Sequence, residues 1–334
     1  MIYGDEEGAV GWLVGEPHRG LHCMFTMMNR ARLATGLQGV AIAERAYQQA
    51  LAYAQERRQG RAAGHAGAAL IIAHPDVLRM LGRMKALTMA GRALAYFSAA
   101  AIDDAHGASD DAVRRRGDVY AGLLTPILKG FSTENGVEVA SLGIQVHGGM
   151  GYIEETGAAQ HWRDARIPPI YEGTNGIQAI DLVTRKVTPD GGAGMQMLIA
   201  ECRDMLAPVG SLPADIRATL APAAALTSAA LADLAVATDW LIAGERDPDE
   251  RLCAATPYLR LTAIALCASL LTKGAVAAVR MAEANGGSSP DHRMRVALAT
   301  LFADELAVET PGLLRKVIAP AANSSLRSTA IGLA

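Results

Sequence analysis

The chain contains 334 residues, of which 51% are hydrophobic and 19% charged, so it can form a large core and is expected to divide into two domains. Aromatic residues make up only 4% of it, and a core of small and aliphatic side chains favours closely packed helices over a β-sandwich. The formal net charge of -3 argues against nucleic acid as the main partner.

The four cysteines have neither Cys-x-x-Cys spacing nor an adjacent pair of histidines. This pattern predicts no metal site and no disulfide framework, and it is typical of a protein of the reducing cytoplasm. The first residues lack a basic start followed by an apolar run, so we predict no signal peptide. The longest uncharged stretches, 218–232 and 261–272, are too short or too interrupted by proline for a membrane span, and we expect no membrane insertion.

The first half of the chain is patterned as long helices that follow an N-terminal loop with at most one strand. Residues 21–59 contain no proline and repeat apolar residues at helical spacing, which predicts a helix of roughly 60 Å. Pro75 opens a second helix over 75–107. A third is predicted from 109–111 to about residue 145, and Pro126 either kinks it or marks a late start.

Shorter elements and a second domain follow. A short helix is predicted over 158–163, and Thr174 or Asn175 can cap another that runs to Lys186. The best domain boundary is the composition break Thr188-Pro-Asp-Gly-Gly. Beyond it, the pattern predicts helices over 194–206, 214–242, 257–285 and 292–306.

No alternation of strands and helices is present, so the predicted fold class is all-α. We expect residues 1–20 to form a remnant of a preceding domain or a linker, residues 21–188 a helical bundle, and residues 189–334 an additional helical domain.

One segment, Tyr171-Glu172-Gly173-Thr174, carries candidate chemistry. Considered alone, its glutamate is explained by a carboxylate that complements the dipole of the following helix. Three further segments accompany it: Glu56-Arg57-Arg58-Gln59-Gly60, Gln145-Val-His-Gly-Gly-Met-Gly-Tyr152 and Arg163-Asp-Ala-Arg166. In this order and at these separations, the four segments resemble the C-terminal α-domain of the acyl-CoA dehydrogenases, over about residues 11–186.

The resemblance implies a reaction for this segment. Glu172 matches the glutamate that removes the α-proton of an acyl-CoA thioester, while the β-hydrogen passes as hydride to FAD and leaves a trans-2-enoyl-CoA. A carboxylate that abstracts so weakly acidic a proton needs a desolvated position, and the thioester carbonyl needs fixed donors. In this family, one donor is the backbone N–H of the catalytic glutamate.

The resemblance also implies binding residues for the cofactor. Thr174 matches a residue that touches the flavin, whereas Arg57 and Gln59 match positions that hold the FAD pyrophosphate and adenosine from a neighbouring subunit. The fork of donors on an arginine suits phosphate oxygens. Gln145, Gly148 and Gly149 match the loop that meets the adenine portion, where glycine permits close approach of the backbone.

On the substrate side, Arg32 aligns with an arginine that assists CoA binding, and Gly173 lies next to the catalytic position. Purely structural explanations of these residues stay open at this point. Arg57 can complement a helix dipole, Gly148-Gly149 can end a helix, and His147 is best interpreted as a packed residue. Asn175-Gly176 replaces a common Ser-Gln pair. Such variants resemble those of larger bacterial members with an extra C-terminal helical region, a subgroup that includes enzymes acting on 3-methylmercaptopropionyl-CoA.

Three functional hypotheses follow. The first is an FAD-dependent acyl-CoA dehydrogenase, or its catalytic half, that forms a homodimer or homotetramer and passes electrons to an electron-transfer flavoprotein. The second is a catalytically inactive helical oligomerisation module, because the family's N-terminal and middle β-domains normally precede the position of Gly11. The third is an acyl-CoA oxidase, in which oxygen reoxidises the flavin.

Overall fold

The computed structural model describes residues 3–64, 66–244, 246–285, 287, 289–319 and 328–332, without the side chains at positions 22, 25 and 26. Within these ranges the regular secondary structure is helical from Gly20 onward, and an isolated bridge between Arg58 and Leu70 is the sole β-pairing. The all-α prediction is confirmed. The α-helices are α1 (Gly20–Glu56), α2 (Pro75–Gly107), α3 (Asp111–His147), α4 (Gly149–Tyr152), α5 (Ala158–Ala165), α6 (Asn175–Asp181), α7 (Ala193–Leu206), α8 (Ala214–Ile242), α9 (Pro248–Ala284), α10 (Pro290–Glu305) and α11 (Thr310–Ile318).

Three long helices, α1, α2 and α3, pack against one another and form the first bundle. The crossing of α1 and α3 is close because small residues meet there. A Cβ atom added to Gly39 would lie 2.3 Å from the carbonyl oxygen of Ser132, and one added to Gly136 would lie 3.0 Å from that of Gly39. The glycines therefore let two backbones approach within a distance that a larger side chain would prevent.

Local chemistry explains where these helices begin and end. Pro75 occupies the first turn of α2, where its missing N–H costs nothing. Asp110 caps α3 by accepting from the backbone N–H groups of Ala112 and Val113 at 2.7 and 3.4 Å. Gly148 ends α3 with a positive φ of 62°.

Several predicted boundaries were wrong in detail. α1 ends at Glu56 rather than at residue 59, because Arg57 already has extended backbone. α3 is continuous through Pro126, which rules out a late start. α9 begins at Pro248, where Asp247 caps it, and it includes Pro257 in its interior.

Other elements differ from the predictions or were not predicted, among them the short helix α4. α6 does not continue to Lys186 as an α-helix, since residues Leu182–Val187 form a π-helix. α11 follows a 3-10 turn over Ala307–Glu309 and contributes buried Leu313 and Val317 to the core.

The C-terminal helices are assembled around α9, which packs against α7, α8, α10 and α11 and also against α2 of the first bundle. By length and composition alone, α8 and α9 could each cross a membrane. The apolar window of α9 is 78% buried inside the protein and that of α8 is 39% buried. A helix in the core of a protein can be as long and as apolar as a membrane-spanning helix. Because most of its apolar window is buried inside the protein, α9 is best described as the central helix of this region.

Candidate functional site

The predicted catalytic segment forms a loop at the entrance to α6. Thr174 is the capping residue, and its Oγ1 accepts from the backbone N–H of Ile177 at 3.4 Å. Glu172, which is half-buried, has a φ of 58°, and Gly173 has a φ of 81°. A left-handed backbone costs a residue with a Cβ atom about 1 kcal/mol or more, so surrounding contacts must hold Glu172 in place.

Those contacts are made by donors aimed at two successive carbonyl groups of the loop. Arg32 Nε donates to the Glu172 carbonyl oxygen at 3.3 Å. Gln178 Nε2 donates to the same oxygen at 3.1 Å and to that of Gly173 at 3.2 Å. Lys129 Nζ donates to the Gly173 oxygen at 2.8 Å. The predicted substrate residue Arg32 therefore lies beside Glu172, where it supports the backbone of the loop.

Arg32 is itself held by a buried carboxylate. Its Nη1 lies 3.5 Å from Oδ2 of Asp181 in α6, and both side chains are less than a tenth exposed. The pair ties the first half of α1 to α6, the helix that follows the predicted catalytic loop. Because a buried guanidinium needs a charged partner, Asp181 allows Arg32 to remain next to the loop.

Sequence reasoning missed Lys129, a lysine of α3 that is 0% exposed. Besides the Gly173 carbonyl, its Nζ donates to Oδ1 of Asn175 at 2.9 Å. Burial, the largest cause, and the positive charge of Arg32 lower the pKa of Lys129 to about 8, against the opposing effects of Glu134 and Glu172. The available signal was a single charged residue within the otherwise uncharged run from Val119 to Thr133.

A second set of predicted residues lines a separate cavity of about 510 Å³. Arg57, Gln59, Gly148 and Gly149 all contribute to it, although the two segments are separated by most of α2 and α3. Gln145 is exposed on α3 and does not line this cavity. The structure thus brings together four of the five residues assigned to the nucleotide part of the cofactor.

Backbone pairing fixes the Arg57 side of the cavity. The N–H of Ile71 donates to the carbonyl oxygen of Arg57 at 2.8 Å, and the N–H of Gln59 donates to that of Ala69 at 2.9 Å. His74 Nε2 lies 2.8 Å from the carbonyl oxygen of Gln59. A loop held in this way can present the Arg57 side chain with little loss of backbone entropy on binding.

His147 forms part of the cavity wall as a packed residue. It is buried, its ring stacks on Tyr53 with centroids 4.4 Å apart, and its Nδ1 lies 2.7 Å from the carbonyl oxygen of Gly143. A Cβ atom added to Gly148 or Gly149 would meet nothing within 4 Å, so space for a ligand lies directly over this backbone. The arrangement suits phosphate oxygens or a flat ring that approaches the main chain.

Another cavity, of about 690 Å³, opens beside Asn175 and Gly176 between the first bundle and α9. Phe131, Trp162 and Leu259 are among the residues that line it. Its size is that of a typical small-molecule pocket, and it lies against the first turn of α6. In the part of the chain that the structure describes, no group of three potential metal ligands occurs.

These features define a class of protein. It is an all-α protein with a carboxylate on a strained loop at a helix entrance, and with a cavity lined by arginine and glycine that suits a nucleotide.

Comparison with known families gives the class a name. The family model described as "Acyl-CoA dehydrogenase, C-terminal domain" matches residues 18–187, which is half of the chain, and "Acetyl-CoA dehydrogenase C-terminal like" matches residues 198–325. The chain belongs to the acyl-CoA dehydrogenase family.

Individual relatives agree with this assignment. The chain is 46% identical over 308 residues to a 3-methylmercaptopropionyl-CoA dehydrogenase of Ruegeria pomeroyi, covering 91% of this chain and 51% of the relative. It is 32% identical to a broad-specificity linear acyl-CoA dehydrogenase of Mycobacterium tuberculosis, covering 88% of this chain and 50% of the relative. The chain thus spans about half the length of these curated relatives.

Solved structures share the fold. An acyl-CoA dehydrogenase from Bacillus anthracis, solved with FAD, superposes with a TM-score of 0.67 at 17% identity and covers 96% of this chain and 53% of that one. An acyl-CoA oxidase from Yarrowia lipolytica superposes with a TM-score of 0.54 at 16% identity, covering 96% and 58%. Dehydrogenases and oxidases therefore both contain this helical arrangement.

Proposed function

We propose that this chain is the catalytic half of an FAD-dependent acyl-CoA dehydrogenase, with Glu172 as the base. The observation that carries the proposal is the left-handed Glu172, fixed by buried Arg32 and Lys129 within the family's Tyr-Glu-Gly-Thr motif. Strained backbone that is this strongly held by its surroundings is typical of functional positions.

In the proposed reaction, the carboxylate of Glu172 takes the α-proton of the acyl thioester. The backbone N–H of the same residue is the donor for the thioester oxygen, where negative charge develops. FAD supplies the acceptor for the β-hydrogen when it is bound. Arg57 would hold its phosphates, and the open backbone of Gly148 and Gly149 would receive its nucleotide end.

The finer parts of the proposal rest on the resemblance and on the relatives. Similarity to the Ruegeria pomeroyi enzyme supports a short sulfur-containing acyl-CoA as the first substrate to test. Reoxidation by an electron-transfer flavoprotein, assembly as a homodimer or homotetramer, and a cytoplasmic location complete the proposal.

The test is to add FAD to the purified chain and to follow bleaching of the flavin by a panel of acyl-CoA thioesters. Glu172→Gln should retain flavin and lose bleaching by at least about a hundredfold, because an amide cannot accept the α-proton. Glu155→Gln, at an exposed glutamate outside the loop, is the matched control. Equal bleaching in wild type and Glu172→Gln would remove the base assignment.

A second candidate is a helical oligomerisation module without catalysis, since the chain spans about half the length of its relatives. A stable oligomer that stays colourless with FAD, and that gains no activity when the N-terminal half of a relative is added, favours this candidate. Peroxide formed in step with turnover would instead indicate an oxidase.

A further inference from the structure

A cluster of polar groups lies directly under the catalytic loop, where α3 passes the start of α6. Lys129 Nζ, which is fully buried, has two acceptors there: the Gly173 carbonyl oxygen at 2.8 Å and Asn175 Oδ1 at 2.9 Å. One acceptor belongs to the loop and the other to the first residue of α6. A single ammonium group therefore links α3 to both sides of the capping residue Thr174.

Asn175 extends this link. Its Nδ2 donates to Glu134 Oε1 at 2.7 Å and to the carbonyl oxygen of Gly130 at 3.2 Å. Thr133 Oγ1 lies 3.2 Å from its Oδ1. Its backbone N–H donates to the carbonyl oxygen of Pro169, 3.0 Å away and before the loop. Both polar atoms of the Asn175 side chain are thus bonded to α3, and its backbone N–H is bonded across the base of the loop.

These hydrogen bonds explain how Glu172 is held in a left-handed backbone conformation that is unfavourable for a residue with a side chain. Two consecutive residues have positive φ, and the carbonyl group between Gly173 and Thr174 points at Lys129. If the lysine is removed, this carbonyl loses its charged donor and the loop can relax toward ordinary backbone angles. Such a relaxation would turn the Glu172 side chain away from its present direction.

We infer that Lys129 and Asn175 form a clamp that positions the Glu172 carboxylate for proton abstraction. Lys129 acts through the loop backbone, so it is a positioning residue. The effect of the clamp on proton abstraction rests on the proposed function, whereas its effect on the conformation of the loop does not.

Lys129→Met is the decisive variant because it keeps most of the side-chain volume and removes the donor. Lys85→Met is the matched control: the Lys85 side chain on α2 is 24% exposed, and it contacts Glu44 and the ring of Tyr47 instead of the loop. Hydrogen–deuterium exchange over residues 167–178 reports the loop, and single-turnover bleaching of bound FAD by acyl-CoA reports catalysis.

In Lys129→Met, the hydrogen-bonded amides that frame the loop, those of Tyr171, Asn175 and Ile177, should exchange about tenfold faster, as expected for the loss of one charge-assisted hydrogen bond. Bleaching should slow by about tenfold or more while the half-saturating acyl-CoA concentration stays within about twofold, because displacement of the base affects the chemical step. Lys85→Met should match the wild type in both measurements.

A folded Lys129→Met variant with wild-type exchange in the loop overturns the clamp. Faster exchange with unchanged bleaching overturns the positioning role. If this variant does not fold, Asn175→Ala removes the other half of the clamp at a half-buried site, and the same outcomes apply to it. If acyl-CoA never bleaches the flavin of the wild-type chain, the proposed function is refuted. The exchange measurement then still tests whether the clamp holds the loop.

Discussion

At the scale of single residues, Glu172 combines a candidate base with an unfavourable backbone angle. Its φ of 58° is one that glycine adopts freely. We expect Glu172→Gly to be more stable than Glu172→Ala by about 1 kcal/mol, because both lack the carboxylate but only glycine relieves the strain. Urea unfolding of the two variants measures the difference. Equal stabilities would show that the loop carries no strain at this residue.

Lys129 should give a pH-dependent contribution to stability. The pKa of Lys129 is lowered from 10.5 to about 8 in the folded protein, so the unfolded chain binds more protons between these values. Its contribution to the free energy of unfolding is therefore least favourable below pH 8 and improves as the pH rises. From about pH 7 to about pH 9, the wild type should gain about 1 kcal/mol relative to Lys129→Met.

Comparison with the variant is needed because other groups act in the opposite direction. Burial raises the pKa of the Cys202 thiol to about 12, and burial also raises the pKa of Tyr258. Their contributions are lost as the pH rises above the unfolded values, but they are common to both proteins and cancel. A relative loss by the wild type over the same interval would contradict the shift at Lys129.

The residue scale also shows what sequence could predict. The family resemblance assigned Arg32 and Glu172 to the substrate side and Arg57 and Gly149 to the cofactor, and in the structure the members of each pair lie close together. The sequence could not reveal the role of Lys129. A lysine at an apolar helix position is recognised as a donor to a loop only when the acceptors on that loop are known. The resemblance also assigned Gln145 to a nucleotide cavity that this side chain does not line.

At the scale of elements, one arginine joins helices that are far apart in sequence. Arg83 of α2 donates to Glu138 of α3 at 2.6 Å and to Glu305 of α10 at 3.1 Å, and Glu309 lies 3.9 Å away. The Arg83 side chain is 18% exposed. The first bundle and the C-terminal helices are thus fastened at this point by charge as well as by apolar packing.

Removing Arg83 should therefore be costly. We expect Arg83→Ala to lower the free energy of unfolding by about 2 kcal/mol, because it leaves several partly buried carboxylates without their shared cation. Arg79→Ala on the same helix removes an exposed pair with Asp76 and should cost about 0.5 kcal/mol or less. Denaturant titration compares the two variants, and equal losses would show that the buried network contributes nothing beyond a surface pair.

Helix boundaries illustrate a limit of pattern reasoning at this scale. Pro257 was interpreted as the start of a helix because proline favours the first turn, yet α9 begins nine residues earlier. Packing outweighs that preference: Ala254, Ala255 and Tyr258 on both sides of the proline are buried. The sequence shows that a proline inside a helix lowers the stability of that helix. It does not show which neighbouring side chains are buried and offset this loss.

At the scale of the whole molecule, the two groups of site residues are separate. In the described chain, the Arg57 cavity and the Glu172 loop share no lining or hydrogen-bonded residue. The family resemblance assigns both groups to one FAD, with Arg57 and Gln59 acting on the cofactor of a neighbouring subunit. On the proposed function, the two groups of residues on one chain would each be completed by the partner chain of a dimer.

This arrangement predicts complementation between inactive variants. Arg57→Ala should weaken FAD binding and Glu172→Gln should abolish bleaching, so each homodimer is inactive. In a mixed dimer, one site receives Glu172 from the Arg57→Ala chain and Arg57 from the Glu172→Gln chain, and both groups are intact. Because an equal mixture forms about half mixed dimers with one intact site of two, about a quarter of wild-type bleaching should return.

The control for complementation is Arg61→Ala, at an exposed arginine of the same loop that does not line the cavity; alone it should leave FAD binding unchanged. Chain mixing must be verified by mass spectrometry of the intact dimers. Mixed dimers without bleaching would mean that one chain supplies both groups, which requires a movement that brings the Arg57 loop to Glu172. Recovery to about a quarter would instead establish that the cofactor lies across the subunit boundary, because no rearrangement within one inactive chain can restore its missing group.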